Sequence, residues 1–439
     1  MQCDTIVSQA TPAGFSAIAI IRLSGPDSLQ IAKKLSKTKN NLSHGKPKIC
    51  PVFIKGENID QAVFIAFLSP KSYTGENIVE IFPHGNIHIC EAIITECLVL
   101  GSRLAEPGEY TKRAFLNGKI NLLQAESVAQ LISAKSIEAI KQQTRNLAGG
   151  LTEKITNIKE DVLFCLSHLE YEMDVSEGFL IDTETISYIK NKLEKCIQET
   201  SSLNKTFKTG AAFTKGIKIT LVGKPNVGKS TLGNKILGLE KSITSSTPGT
   251  TRDLVSTETI LGGVPVTIVD TAGIHKTKNP VETEGIKRSF DEIKNSDLVL
   301  SIFCHDLEPV DIKELRGLVL VYNKEDVSLY KGKNKNVFSV SATKGTGVDN
   351  LISHIQKKIL GVNRNAAEPL ITTLRQKKAL KEVEVCLSRA QNLFNKNHQE
   401  LDLLACELRS TIDNIDLFTG KTTTNDILER VFSSFCVGK

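Results

Sequence analysis

The sequence predicts a multidomain chain of α/β and α class: a compact α+β domain comes first, then a discontinuous helical domain into which a P-loop domain with a mostly parallel sheet is inserted. Three observations carry this. The stretch Gly223-Lys224-Pro225-Asn226-Val227-Gly228-Lys229-Ser230 fits the template G-x-x-x-x-G-K-[ST], and it stands between a strand-like run, IKITLV, and a helix-like run, TLGNKILGL. Apolar residues recur at spacings of three and four on both sides of that region. Ahead of them, short alternating runs are broken by Gly and Pro turns. The expected boundaries are 1–118 for the first domain, 119–214 and 363–439 for the two parts of the helical domain, and 215–362 for the inserted domain. A length of 439 residues requires more than one core.

In the first domain the runs SAIAIIRLSG, QAVFIAFLSP and NIVEIFPHG read as strands, with one helical run over 86–100. Arg22 follows AIAII, Glu80 lies in TGENIVEIFPHG, and Lys119 opens KINLLQAES; taken singly, each reads as a surface charge. His84, His88 and Cys90 lie close together but lack zinc-like spacing. From 119 the pattern turns helical. Leu147, Leu151, Ile155, Ile158, Val162, Leu166 and Leu169 predict one apolar stripe down a long helix, and Ile186, Ile189, Leu193 and Ile197 predict a second. Glu172–Glu184, acidic and glycine-containing, reads as the loop between them.

The inserted domain carries the chemistry. In the loop 223–230 the two glycines let backbone N–H groups close around an anion, Lys229 brings a positive charge to the outer phosphates, and the Ser230 hydroxyl can ligate Mg2+ before Thr231 continues into the helix. Val264–Asp270 reads as a buried strand ending in Asp270-Thr271-Ala272-Gly273, where the carboxylate can reach the magnesium shell and the glycine N–H can sense a γ-phosphate. Leu318–Tyr322 leads into Asn323-Lys324-Glu325-Asp326, which resembles the N-K-x-D motif whose carboxylate accepts two N–H donors from guanine and repels the acceptor edge of adenine. Ser341-Ala342-Thr343 stands where a third base-contacting motif is expected. Three motifs in this order, each after a strand, point to GTP rather than ATP.

After this domain, helical periodicity returns at Leu401, Leu404, Leu408, Ile412 and Ile415. A P-loop sheet is covered by its own helices, so these stripes are expected to pack on the helices of 119–209. The chain ends in Phe432-Ser-Ser-Phe-Cys436-Val-Gly438-Lys439, too apolar for a solvated tail and expected to dock. The formal charge of +6 suits an RNA partner and equally a Lys-rich surface. Ten cysteines without a C-x-x-C pair predict reduced, mostly buried thiols. With no membrane-length apolar run and no signal-peptide layout, a cytoplasmic protein is expected.

These residues carry a resemblance that covers the whole chain. DTIVSQATPAG, IIRLSG, TGENIVEIFPHG, PGEYTKRAFLNGKINLLQAE, the nucleotide motifs and the terminal FSSFCVGK resemble, in order, the blocks of the MnmE (TrmE) family of tRNA-modification GTPases. The resemblance implies a homodimer formed through a folate-binding-like N-terminal domain. That domain would take a 5-formyl- or 5,10-methylene-tetrahydrofolate at Arg22, Glu80, Lys119 and Lys439. It also implies an FAD-dependent partner, MnmG (GidA), in a heterotetramer or larger complex, and an aminomethyl-type group added at C5 of the wobble uridine of certain tRNAs. In that tail Cys436 reads either as a catalytic thiol, which a nearby cation such as Lys439 would activate, or as a small buried hydrophobe packed between Phe435 and Val437.

The residue after D-x-x-G is Ile274, which cannot orient water as the Gln of Ras-like enzymes does; the resemblance implies Glu282 in that role. In place of an arginine finger it implies K+, held by Asn226 and by the loop Ser245-Ser246-Thr247-Pro248-Gly249-Thr250-Thr251, with Ser245, Thr247 and Thr250 as ligands and the Thr251 hydroxyl joining Ser230 on Mg2+. Thr343 departs from the Lys common at the third position of its motif. A ribosome-assembly GTPase acting as an RNA-binding switch shares the central motifs and is the alternative that the outer domains argue against.

Overall fold

The computed structural model describes residues 4–38, 40–175, 183–238, 255–271, 291–310, 317–332, 334, 336–360, 368–395 and 401–439. The chain divides into two compact units. One comprises Met1–Ala129, Leu147–Thr152 and Arg409–Lys439, the other Gln130–Asn146 and Glu153–Leu408.

The first unit is built on a six-stranded sheet of β1 (Ile6–Gln9), β2 (Ile21–Ser24), β3 (Lys48–Ile54), β4 (Glu57–Phe67), β5 (Ile78–Phe82) and β6 (Arg103–Leu104), in the order β3-β4-β5-β2-β1-β6. Neighbours are antiparallel except β1 and β6. Alternation along β2 buries Ile21 and Leu23 against the helices Ser28–Ser36 and Ile87–Val99, so Arg22 between them projects from the opposite face. The β2–β5 register sets Glu80 directly across from Arg22.

On that side, the helix Glu109–Leu116 is tied down by charge. Arg113 bonds Asp4, Glu76 and Glu109, and Arg103 bonds Asp4 and Glu109. Burial pushes the Asp4 and Glu109 carboxyls up, but the arginine hydrogen bonds outweigh it and hold both below the usual carboxylate range. Their stabilisation is therefore present above the unfolded pKa, near 4, and is lost as pH falls through the lower folded values.

The tail docks in this unit. Leu428 and Phe432 of the helix Asn425–Phe432, with Phe435, are buried against Leu122, Ala125, Val128 and the partly buried Phe115. Burying the two phenylalanine rings contributes roughly 3–6 kcal/mol. Ordering the four residues beyond Phe435 costs about 1–2 kcal/mol each. The end of the tail therefore needs contacts of its own.

The second unit holds the other six-stranded sheet: β7 (Ile217–Val222), β8 (Val255–Leu261), β9 (Val264–Asp270), β10 (Leu298–Phe303), β11 (Leu318–Tyr322) and β12 (Val337–Ser339), in the order β12-β11-β10-β7-β9-β8. Only β8 and β9 pair antiparallel. β10 is buried at every position and β7 at all but Lys218, as continuous apolar runs are when helices cover both faces of a parallel sheet. Apart from this sheet, Ile189, Leu193, Cys196 and Leu203 of the helix Thr183–Lys205 are buried, as are Leu380, Val383, Leu387 and Ala390 of the helix Leu374–Asn395, and these two helices pack on each other.

Three helical expectations are corrected. Leu147 ends the helix Ile137–Leu147 and packs in the first unit, because Gly149 at φ +100 breaks the helix before Gly150–Val175 begins. The first stripe therefore starts at Leu151. In the second, Cys196 is fully buried while Ile197 is only partly so. Residues 172–175 and 183–184 of the expected loop are helical, and the remainder lies outside the described residues. Seven of the nine described cysteines are buried, and Cys406 and Cys436 are exposed. Among the described residues no helix is long and apolar enough to cross a membrane.

Candidate functional site

At the carboxyl edge of the second sheet, β7 runs between β9 on one side and β10 on the other, both parallel to it. Strand order reverses there, opening the crevice in which such sheets bind ligands. The loop 223–230 leaves β7 at this point. A Cβ on Gly223 would lie 2.3 Å from the Ile302 carbonyl oxygen, and one on Gly228 (φ +89) would lie 2.4 Å from Asn323 Nδ2. Neither glycine can carry a side chain without moving its neighbour. Asn226 adopts φ +62, which asparagine tolerates, and its side chain is exposed.

Lys229 begins the helix Lys229–Gly238, so its position marks the electropositive helix end. Its ammonium donates to the carbonyls of Gly223 at 3.1 Å and Lys224 at 3.2 Å, folding back over the loop. Burial lowers its pKa, and the Asp270 carboxylate opposes that shift. The Ser230 hydroxyl donates to Asp270 Oδ2, while Asp270 Oδ1 is buried with no hydrogen-bond partner among the described residues. A hydroxyl and a carboxylate with an orphaned oxygen form a hard-oxygen donor set, which fits Mg2+. Thr271 does something else. It is buried, and its hydroxyl donates to the Leu221 carbonyl at 2.8 Å, bracing β7 rather than facing the crevice.

Asn323 fastens the motifs together. Its Nδ2 donates to the Val227 carbonyl at 2.9 Å, and its Oδ1 accepts the Ala342 N–H at 3.0 Å. The Ala342 amide, within the motif expected to contact the base, is thus engaged by Asn323. Lys324 at φ +65 turns the chain so that Asp326 meets Ser341, whose hydroxyl donates to Asp326 Oδ1 at 2.7 Å and lies 3.1 Å from the Thr343 hydroxyl. The Ser341 bond holds the Asp326 carboxyl below its usual range while leaving it in solvent. Thr231 is exposed on the first turn of the helix. Ser245, Ser246, Thr247, Pro248, Gly249, Thr250, Thr251, Ala272, Gly273 and Glu282 lie outside the described residues.

A second cluster forms in the first unit. Arg22 Nε and Nη2 hold Glu80 Oε1 at 2.8 and 2.7 Å, and Nη1 donates to the Gly438 carbonyl at 3.0 Å. Lys439 beside them is half-buried; burial and the Arg22 charge push its pKa down, against the pull of Glu80. Lys119 stands apart, its ammonium on the Pro70 carbonyl at 2.8 Å, and among the described residues no hydrogen bond or ion pair joins it to the other three. Cys436 is exposed, so a purely packing role, the rival to chemistry for a cysteine beside Phe435, is not what the fold provides. Sequence reasoning missed Tyr110. Its hydroxyl donates to the Arg22 carbonyl at 2.7 Å and its ring lies 5.5 Å from the guanidinium carbon. A tyrosine in the run PGEYTKR carries no local signal for a partner 88 residues away.

The family model for the GTP-binding protein TrmE N-terminus matches residues 5–119, and that for the MnmE helical domain matches residues 122–436. The tRNA modification GTPase MnmE of Aquifex aeolicus (strain VF5) is 39% identical to this chain, over 99% of it and 100% of the relative. That of Thermotoga maritima is 37% identical, over 99% and 100%. Among solved structures, the FeoB G-domain from Methanococcus jannaschii is 26% identical and covers 33% of this chain and 97% of its own, with a TM-score of 0.26. Aquifex aeolicus Era bound to GDP.AlF4- is 20% identical and covers 50% and 99%, with a TM-score of 0.28.

Proposed function

This chain belongs to the family of the tRNA modification GTPase MnmE, and from that premise we propose that it couples K+-stimulated GTP hydrolysis to addition of a carboxymethylaminomethyl or aminomethyl group at C5 of the wobble uridine of certain tRNAs. The one-carbon unit comes from a tetrahydrofolate derivative. The working assembly is a homodimer joined by the FAD-dependent MnmG. The observation that carries the GTPase half is the convergence of Lys229, Ser230 and Asp270 at the end of β7, with Asp326 held by Ser341.

In this reading the loop N–H groups and Lys229 grip the phosphates, and Asp326 reads guanine. Ser230, Thr251 and Asp270 serve the Mg2+ site, and Glu282 orients the attacking water. Asn226 and the loop Ser245–Thr251 hold K+. Together the two cations, when bound, supply the positive charge that an arginine finger supplies elsewhere. Hydrolysis is then expected to be at least about tenfold faster in K+ than in equimolar Na+, on the scale of losing one charge-stabilising contact. Asn226→Ala should erase that difference while GTP affinity changes little, because phosphate grip rests on backbone N–H groups and Lys229. Steady-state rates in the two salts check this; equal wild-type rates would remove K+ from the scheme.

The first unit is the site of the one-carbon chemistry. Its support is the meeting of Arg22, Glu80 and Lys439, with the exposed Cys436 two residues before the Gly438 that Arg22 holds. Nucleoside analysis of tRNA from cells with and without this chain tests the whole proposal, and unchanged wobble uridines would favour the ribosome-assembly alternative. In the same assay Cys436→Ala is expected to cut modification at least about a hundredfold, as loss of a nucleophile does, with GTP hydrolysis near normal. Modification at the wild-type level would take the thiol out of the mechanism.

A further inference from the structure

The tail is held at two points with two residues strung between them. The first is Phe435, buried beside Phe432; Gly108 at φ +69 passes so close that a Cβ there would lie 2.7 Å from the Phe432 carbonyl oxygen and 3.0 Å from Phe435 Cβ, and its N–H donates to the Cys436 carbonyl at 3.4 Å. The second is Gly438. At φ +98 it lies against β1, where a Cβ would be 2.6 Å from the Gln9 carbonyl oxygen and 3.0 Å from Ala10 Cα.

Among the described residues one side chain grips that second point, and it is itself held on three sides. Arg22 donates to the Gly438 carbonyl through Nη1, to Glu80 through Nε and Nη2, and its own carbonyl accepts from the buried Tyr110. We infer that Arg22, Glu80 and Tyr110 form a clamp for the chain's own C-terminus, and that Arg22 is a positioning residue which fixes the Cys436 thiol by holding Gly438.

The physical reason is the span. Phe435 to Gly438 is three residue steps, at most about 3.3–3.6 Å each, so with both ends fixed Cys436 has little freedom. With Gly438 released, Cys436 becomes part of a frayed terminus and samples orientations on the nanosecond scale. Phe435 and the long 3.4 Å bond from Gly108 to the Cys436 carbonyl hold only the near end of the span, leaving the side chain and the residues beyond it to swing.

The test is a nitroxide on Cys436 in the full-length chain, with Cys3 and the other exposed cysteine, Cys406, replaced by serine. Two variants address the clamp from opposite sides. Gly438→Ala places a methyl against Gln9 without touching any charge. Arg22→Met keeps an unbranched stem and removes the donors. Each is expected to shorten the label's rotational correlation time by roughly fivefold or more, from motion restricted by the fold to that of a free terminus. Amide exchange of Asn425–Phe432 should stay as in the parent, which confines the release to the end of the tail. In the unlabelled chain, with Cys436 free, Gly438→Ala should in addition lower tRNA modification while GTP hydrolysis is unchanged. A label as restricted in either variant as in the parent would overturn the clamp, whatever the tRNA assay shows. Were Arg22→Met to misfold, Gly438→Ala, at an otherwise intact site, would decide alone.

Discussion

Asp326→Asn is expected to exchange guanine for xanthine as the preferred base, with affinity for GTP falling on the order of 10^3-fold and xanthosine triphosphate binding in its place. The carboxylate offers two acceptors to the two N–H donors of guanine; an amide turns one acceptor into a donor that meets the 2-oxo group of xanthine. The structure makes this a clean exchange. Ser341 donates its hydroxyl to Asp326 Oδ1, an oxygen that the asparagine retains, so the side chain can keep its orientation. That same bond holds the Asp326 carboxyl low, so base reading by the wild type should persist above the usual carboxylate range and fail only as pH falls below it. Competition between guanosine and xanthosine nucleotides measures the preference. A variant that still prefers GTP would mean that Asn323–Asp326 does not read the base.

Glu282→Ala is expected to slow GTP turnover by about two orders of magnitude or more with little change in GTP affinity. Ile274 stands where a water-orienting glutamine would be, and no apolar side chain can accept a proton. Binding has other sources. Lys229 and the loop amides at the end of β7 are placed by Gly223, Gly228 and Asn323. Single-turnover rates alongside equilibrium binding separate the two effects. Normal turnover in the variant would leave Glu282 a surface residue and require another group to orient the water.

The linear sequence by itself determined the nucleotide chemistry, because the groups that do it are local. Gly223 to Ser230 lie within one turn between a strand and a helix, and a parallel sheet must deliver that turn to its carboxyl edge whatever surrounds it. Asp270 ends one strand, and Asn323 and Asp326 follow another, each announced by its apolar run. The alternation of β2 likewise told Arg22 from Ile21 and Leu23. Folding alone decided which of those groups meet. It set Asn323 as the tie between two motifs and Thr271 as a brace, because buried donors and acceptors must find partners that spacing does not name. It broke the predicted stripe at Gly149, where a positive φ outranks the apolar period. It also brought Gly438 to Arg22 across 416 residues and left Lys119 on Pro70 instead, contacts set by strand register, the seating of Phe432 and Phe435, and the close approach only glycine allows. Periodicity reports which face of an element is apolar; only the packed chain decides what that face, and the charge opposite it, will touch.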